Sequence, residues 1–240
     1  MQVKPTGRIG LLVPSSNTTV EPEFYRALPQ GFSLHVGRLP LTKVTPDQIA
    51  GTADALEEQC RLLATAAVDI IILGATAPSF IKGLGYDREV SERMHSASGT
   101  RATTTATALI EALRALNVKK IALGSAYDTT VNDIAVSFLE GNGFRVVATE
   151  ALGYTDNLEI GRLSADTAYD TGRRVDRDDA DAVVLACTNW KSMAIIEKLE
   201  RDTGKPVVST TQASLWAVLR ELRAVHGLPG WGRLLQTVSS

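Results

Sequence analysis

Ala180–Trp190 reads ADAVVLACTNW. Ala182 to Ala186 is an unbroken run of small or branched apolar residues, and it stops at Cys187-Thr188-Asn189. A short apolar run bounded by polar residues suits a strand buried on both faces. Ligands of open α/β sheets sit beyond the carboxyl ends of such strands. The sequence therefore places Cys187 where chemistry is done, with two hydrogen-bonding side chains and a helix start expected after it.

This stretch has a twin. Asp69–Thr76, DIIILGAT, overlays Asp181–Thr188, DAVVLACT, at an offset of 112 residues that sets Ala75 opposite Cys187. Arg8–Thr18 (RIGLLVPSSNT) overlays Lys120–Thr130 (KIALGSAYDTT) at the same offset of 112. Thr103–Leu113 (TTTATALIEAL) pairs with Ser209–Leu219 (STTQASLWAVL) at an offset of 106. Three strand-end segments repeat in one order, which predicts a duplicated α/β unit. The expected fold is α/β: two similar lobes with parallel sheets, related by a pseudo-two-fold axis, with an active site in the cleft between them. Residues 1–115 with 211–240 would form one lobe, and 116–210 the other.

Working outward, Arg8–Val13 reads as the first strand and Val20–Leu28 as a helix. The loop Pro14–Thr19 between them offers hydroxyls, an amide and free N–H groups, which suit an anion or a helix cap. Ser33–Leu39 reads as a strand. Thr45-Pro46-Asp47-Gln48 predicts a capped helix start running on to about Ala66. Leu56, Cys60 and Leu63 share one face of that helix, so Cys60 reads as a small buried hydrophobe. Asp87–Ser98 and Val131–Glu140 read as helices, and Phe144–Thr149 and Val207–Ser209 as strands. Ser125–Thr130 reads as the loop opposite Pro14–Thr19. Gly83-Leu84-Gly85 follows no strand and lacks a third glycine, so it is no dinucleotide fingerprint.

At 240 residues, with 44% hydrophobic and 22% charged residues, the chain suits an ordinary globular protein. A net charge of −2 gives no reason to expect nucleic acid or an anionic membrane as partner. Two cysteines, Cys60 and Cys187, make no disulfide framework. No apolar run approaches the roughly 20 residues of a membrane helix, and no secretory leader is legible at Met1–Pro14. A cytoplasmic protein is the default expectation.

Four motifs carry a resemblance: VPSSNTTVE (Val13–Glu21), the loop around Tyr127, LACTNW (Leu185–Trp190), and TTQASLWAVLR with PGWGRLL near the C-terminus. Together they resemble the aspartate/glutamate racemase superfamily, in the branch of maleate cis–trans isomerases and arylmalonate decarboxylases. The resemblance spans nearly the whole chain. It implies two α/β lobes, an active site between them, and no metal or organic cofactor. It also implies two cysteines in the racemases and isomerases, one at each matching strand end. Here the first of these is Ala75, a departure that the arylmalonate decarboxylases share.

A two-base reaction needs an acid/base group on each face of one carbon. Decarboxylation of a malonate-type diacid needs none for loss of CO₂, and a single acid for the enediolate that remains. The expected catalytic residues are Cys187 as that acid, with Tyr127 and Thr76 as donors to the enediolate. Thr188 is a further donor, and a helix N-terminus would lower the thiol pKa. Ser16 and Asn17 would hold the remaining carboxylate, and Asn189 would assist. Ala75, Ala77 and Pro78 would form an apolar wall. The expected partner is a small carboxylate or dicarboxylate; whether the chain forms a homo-oligomer stays open. Three functions remain at this point: a malonate-type decarboxylase, an isomerase or racemase whose first cysteine is replaced, and a non-catalytic carboxylate-binding protein.

Overall fold

The computed structural model describes residues 7–224 and 226–238. The first half of the chain runs β1 (Gly7–Pro14), α1 (Val20–Ala27), β2 (Phe32–Leu39), α2 (Pro46–Ala50), α3 (Ala53–Thr65), β3 (Ile70–Leu73), α4 (Thr76–Phe80), α5 (Tyr86–Ser98), β4 (Arg101–Thr104) and α6 (Thr105–Ala115). The second runs β5 (Lys120–Tyr127), α7 (Thr129–Gly141), β6 (Arg145–Tyr154), α8 (Asn157–Arg162), α9 (Ala165–Val175), β7 (Ala182–Ala186), α10 (Ile196–Thr203), β8 (Val207–Ser209), α11 (Thr210–Glu221) and α12 (Arg233–Gln236).

Two four-stranded parallel sheets result, ordered β2-β1-β3-β4 and β6-β5-β7-β8. All four residues of β3 and all five of β7 are buried. That is what helices on both faces of a parallel sheet require of a central strand. Successive residues of β1 and β3 point to opposite faces. Ile9, Leu11, Ile70 and Ile72 join a core that extends through the second half. Leu12, Ile71 and Leu73 pack with Leu56, Cys60 and Leu63 of α3 on the other face. Each such side chain contributes on the order of 2 kcal/mol when fully buried. Cys60 is part of this packing, and burial pushes its thiol up to about 12.

The duplication is written into the hydrogen bonds. Ile9 pairs with Ile70 and Gly10 with Ile71; shifted by 112, Ile121 pairs with Ala182 and Ala122 with Val183. Asp69 accepts a bond from the Arg8 N–H at 2.7 Å, and its counterpart Asp181 accepts one from the Lys120 N–H at 2.8 Å. The third repeat has a different offset from the one the sequence suggests. Thr104 caps α6 by accepting from the Thr107 N–H, and Ser209 caps α11 by accepting from the Gln212 N–H. The caps and the strand register both give 105 rather than 106. A run of threonines hides a one-residue slip from side-chain matching, whereas a cap admits one register.

Three local expectations are corrected. The helix expected from residue 46 to 66 is broken: the Thr52 hydroxyl donates to the Ile49 carbonyl at 2.8 Å and α2 stops there. The Thr45 side chain makes no capping bond. β5 runs on to Tyr127 and β6 to Tyr154, with Tyr127 opposite Tyr154 past a bulge, so Tyr127 ends a strand and does not lie on a loop. Thr76–Phe80, directly after β3, is a helical turn. No helix of the described residues is long and apolar enough to cross a membrane.

Candidate active site

The carboxyl ends of β1, β3, β5 and β7 converge on one narrow crevice. The first half supplies Pro14, Asn17 and the segment Ala75–Pro78; the second supplies Tyr127, Asn157, Cys187 and Thr188. Leu41 and Val44 complete the wall. These two sit on a stretch that bridges to the other half. The Val44 N–H donates to the Thr155 carbonyl at 2.8 Å, and the Asn157 N–H donates to the Thr42 carbonyl at 3.0 Å. This clasp brings Leu41, Val44 and Asn157 to the site. No local pattern in the sequence marks it, because a single bridge between distant loops creates it.

Cys187 is 4% exposed, and its backbone φ is +152°, a region side-chain-bearing residues rarely adopt. Such strain persists only where surrounding contacts over-determine it, and it clusters at functional sites. Its N–H donates to Thr210 Oγ1 at 3.2 Å. The helix expected after the Cys motif begins only at Met193, in a 3-10 turn over Met193–Ile195, while residues 187–190 form a turn, so no helix N-terminus abuts the thiol. Burial therefore governs the thiol and pushes it up to about 11. The N–H groups of Asn189 and Trp190 and the Tyr127 hydroxyl pull weakly the other way. The thiol is held protonated, which reverses the direction expected from a helix dipole.

Tyr127 is 2% exposed, and an edge-on contact with Phe80, 6.4 Å between ring centres, fixes its ring. Its hydroxyl lies beside the Thr76 hydroxyl, the Cys187 thiol and the Ala77 N–H. Burial raises the phenol well above its ordinary value, so it is a neutral donor. Thr76 Oγ1 is buried and meets no aligned partner, which leaves its proton available to a bound molecule.

The other expected contacts divide. Asn17 reaches the crevice, but its Oδ1 accepts from the N–H groups of Thr19 and Val20 and its Nδ2 donates to the Thr188 hydroxyl at 3.4 Å, so one amide proton is left to face a ligand. Thr188 lines the crevice, yet its hydroxyl donates to the Gly74 carbonyl at 3.0 Å and has no second proton to give. Ala75, Ala77 and Pro78 line the crevice and give that side an apolar surface. Ser16 and Asn189 stand outside the crevice. Ser16 donates to the Leu41 carbonyl and accepts from the Asn157 amide at 2.8 Å. Asn189 accepts from the Thr18 N–H at 2.9 Å and donates to the Asn157 carbonyl. Both hold the clasp and the first loop in place. No Lys, Arg or His lines the crevice, and no group of three His, Cys, Asp or Glu among the described residues is placed to hold a metal.

Residues 9–235 match the arylmalonate decarboxylase family. The maleate isomerase of Nocardia farcinica is 34% identical over 97% of each chain. The arylmalonate decarboxylase of Bordetella bronchiseptica is 30% identical over 98% of each. A solved structure of the Nocardia farcinica maleate cis–trans isomerase superposes with a TM-score of 0.90 at 31% identity, covering 96% of this chain and 98% of that one. It is a cysteine-to-serine variant that carries a covalently bound succinylcysteine intermediate. The shared strand order, the strand-end crevice and these matches lead to one conclusion: the chain belongs to the arylmalonate decarboxylase family, among relatives that include both decarboxylases and maleate isomerases.

Proposed function

We propose that the chain is a cofactor-independent decarboxylase of a malonate-type diacid. One observation carries this reading: the crevice holds a single thiol, Cys187, and the equivalent strand end presents the methyl group of Ala75. The isomerase relative bears its adduct on one cysteine while another is replaced by serine, so it has two. The other thiol of this chain, Cys60, is packed into a separate core and cannot serve as the second.

The chemistry follows from the lining. One carboxylate of the diacid accepts from the amides of Asn17 and Asn157. The other lies against Leu41, Val44 and Pro78, with no cation to stabilise its charge. Poor solvation there favours its loss as neutral CO₂. The C–C bond breaks and its electron pair passes into the retained carboxylate as an enediolate. Tyr127 and Thr76 donate to the enediolate oxygens, and one such donor is worth about 3 kcal/mol. Cys187 then gives its proton to the carbon, forming the C–H bond, and the thiolate recovers a proton from solvent.

Tyr127→Phe removes one donor and keeps the ring contact with Phe80. It should lower kcat about 10²-fold and change KM little, as read from the rate of CO₂ release. The function itself is tested with phenylmalonate, alkylmalonates and maleate. The expected result is CO₂ from one or more malonates and no fumarate from maleate. Fumarate without CO₂ would overturn it. That outcome is the second reading, a maleate isomerase, and the paired amides of Asn17 and Asn157 favour it because they could hold two retained carboxylates.

A further inference from the structure

Glu23 lies on α1, beyond the loop that carries Asn17, and it is sealed in at 1% exposure. A carboxyl in such a place is costly unless it is engaged, and the mechanism above does not use it. Its Oε1 accepts a hydrogen bond from the Met193 N–H at 3.2 Å. The Ser192 N–H and the Thr211 hydroxyl lie near the same carboxyl. Glu23 Oε2, Ser192 Oγ and Thr211 Oγ1 have no aligned partner. The carboxyl thus grips the backbone where the turn after Cys187 ends. Two further bonds join the loop just before α1 to that turn. The Thr18 N–H donates to Asn189 Oδ1 at 2.9 Å, and the Thr19 hydroxyl donates to the Asn189 carbonyl at 2.9 Å. The same turn is closed by the Trp190 N–H donating to the Cys187 carbonyl at 3.2 Å, and its Asn189 N–H lies near the Cys187 sulfur.

We propose that Glu23 is a positioning residue: it locks the Cys187–Met193 turn onto α1 and so fixes where the thiol stands relative to the Asn17 amide. The proposal rests on the function above only in taking Cys187 as the reacting group. A hydrogen bond from a backbone N–H is shorter and roughly twice as strong when its acceptor is ionised, so the grip tightens when Glu23 loses its proton. Burial pushes Glu23 up to about 7, against the Met193 N–H and the charge of Arg26 on its own helix. The residues that face it from the other elements, Ser192, Met193 and Thr211, do not titrate in this range. The Cys187 thiol and the Tyr127 phenol both ionise far above it. A change near pH 7 that Glu23→Gln abolishes therefore reports on Glu23.

Two measurements test this on wild type, Glu23→Gln and Glu23→Ala. One is kcat and KM for a substituted malonate on either side of pH 7. The other is amide hydrogen exchange of residues 188–193 without substrate, corrected for intrinsic base catalysis. In wild type kcat should rise about tenfold through pH 7 with KM steady, while exchange at 188–193 slows. Glu23→Gln keeps an acceptor and cannot ionise, so both profiles should be flat. Glu23→Ala should exchange faster at 188–193 on both sides of pH 7, with β1 unaltered. Wild-type pH dependence in Glu23→Gln for both readouts overturns the proposal. If Glu23→Ala does not fold, Glu23→Gln decides alone. If no malonate is turned over, the exchange profile still decides on Glu23, and only the decarboxylase assignment falls.

Discussion

On the proposed decarboxylase reading, replacing Cys187 with alanine should lower kcat for CO₂ release coupled to product formation by about 10³-fold or more, with KM within about threefold of wild type. The size follows from the crevice. In the proposed decarboxylation Cys187 would be the lining residue that gives a proton to carbon, with Tyr127 and Thr76 assigned to the oxygens, while Asn17 and Asn157 are amides. The loss falls on kcat because the ground-state diacid does not touch the proton in flight. Steady-state CO₂ release measures it; a variant that keeps more than about a tenth of the activity contradicts a thiol donor. The pH profile has a definite sign. Burial raises the thiol to about 11, so its protonated, competent form persists through neutrality. Activity that depends on it is lost only as pH climbs toward that value.

Moving the thiol to the other strand end should reverse the hand of the product. The registers of β1 with β3 and of β5 with β7 coincide after a shift of 112 residues, which sets residue 75 as the counterpart of residue 187. Both line the crevice. The double variant Ala75→Cys, Cys187→Ala would then offer its proton to the opposite face of the enediolate. With 2-methyl-2-phenylmalonate, whose two carboxylates are mirror-related, the enantiomer in excess should be the opposite of that from wild type, at a reduced rate. Chiral chromatography of the monoacid decides it. An unchanged hand would show that the protonated face is not set by which strand end bears the thiol.

Much of this was legible in the chain. The apolar run into Cys187 and its echo at Ile70–Ala75 marked two central strands, and buried strands must be apolar on both faces. The repeat then set Ala75 opposite Cys187 without any contact being known. What was not legible has a common cause. Ser16 and Asn189 carry the right groups in the right loops, but whether a polar side chain faces ligand or scaffold is settled by distant partners, here Leu41 and Asn157. Asn157, Leu41 and Val44 reach the crevice through a bridge between loops with no local signature. The thiol's shift took the opposite sign because Cys187–Trp190 is a turn, and burial acts where a helix terminus was expected.

Wild-type turnover of 2-methyl-2-phenylmalonate in D₂O tests the central claim most directly. One CO₂ should be released per molecule, with one deuterium at C2 of the product and one enantiomer in large excess, as a single fixed donor requires. Racemic monoacid, or undiminished CO₂ release by Cys187→Ala under the same conditions, would contradict it.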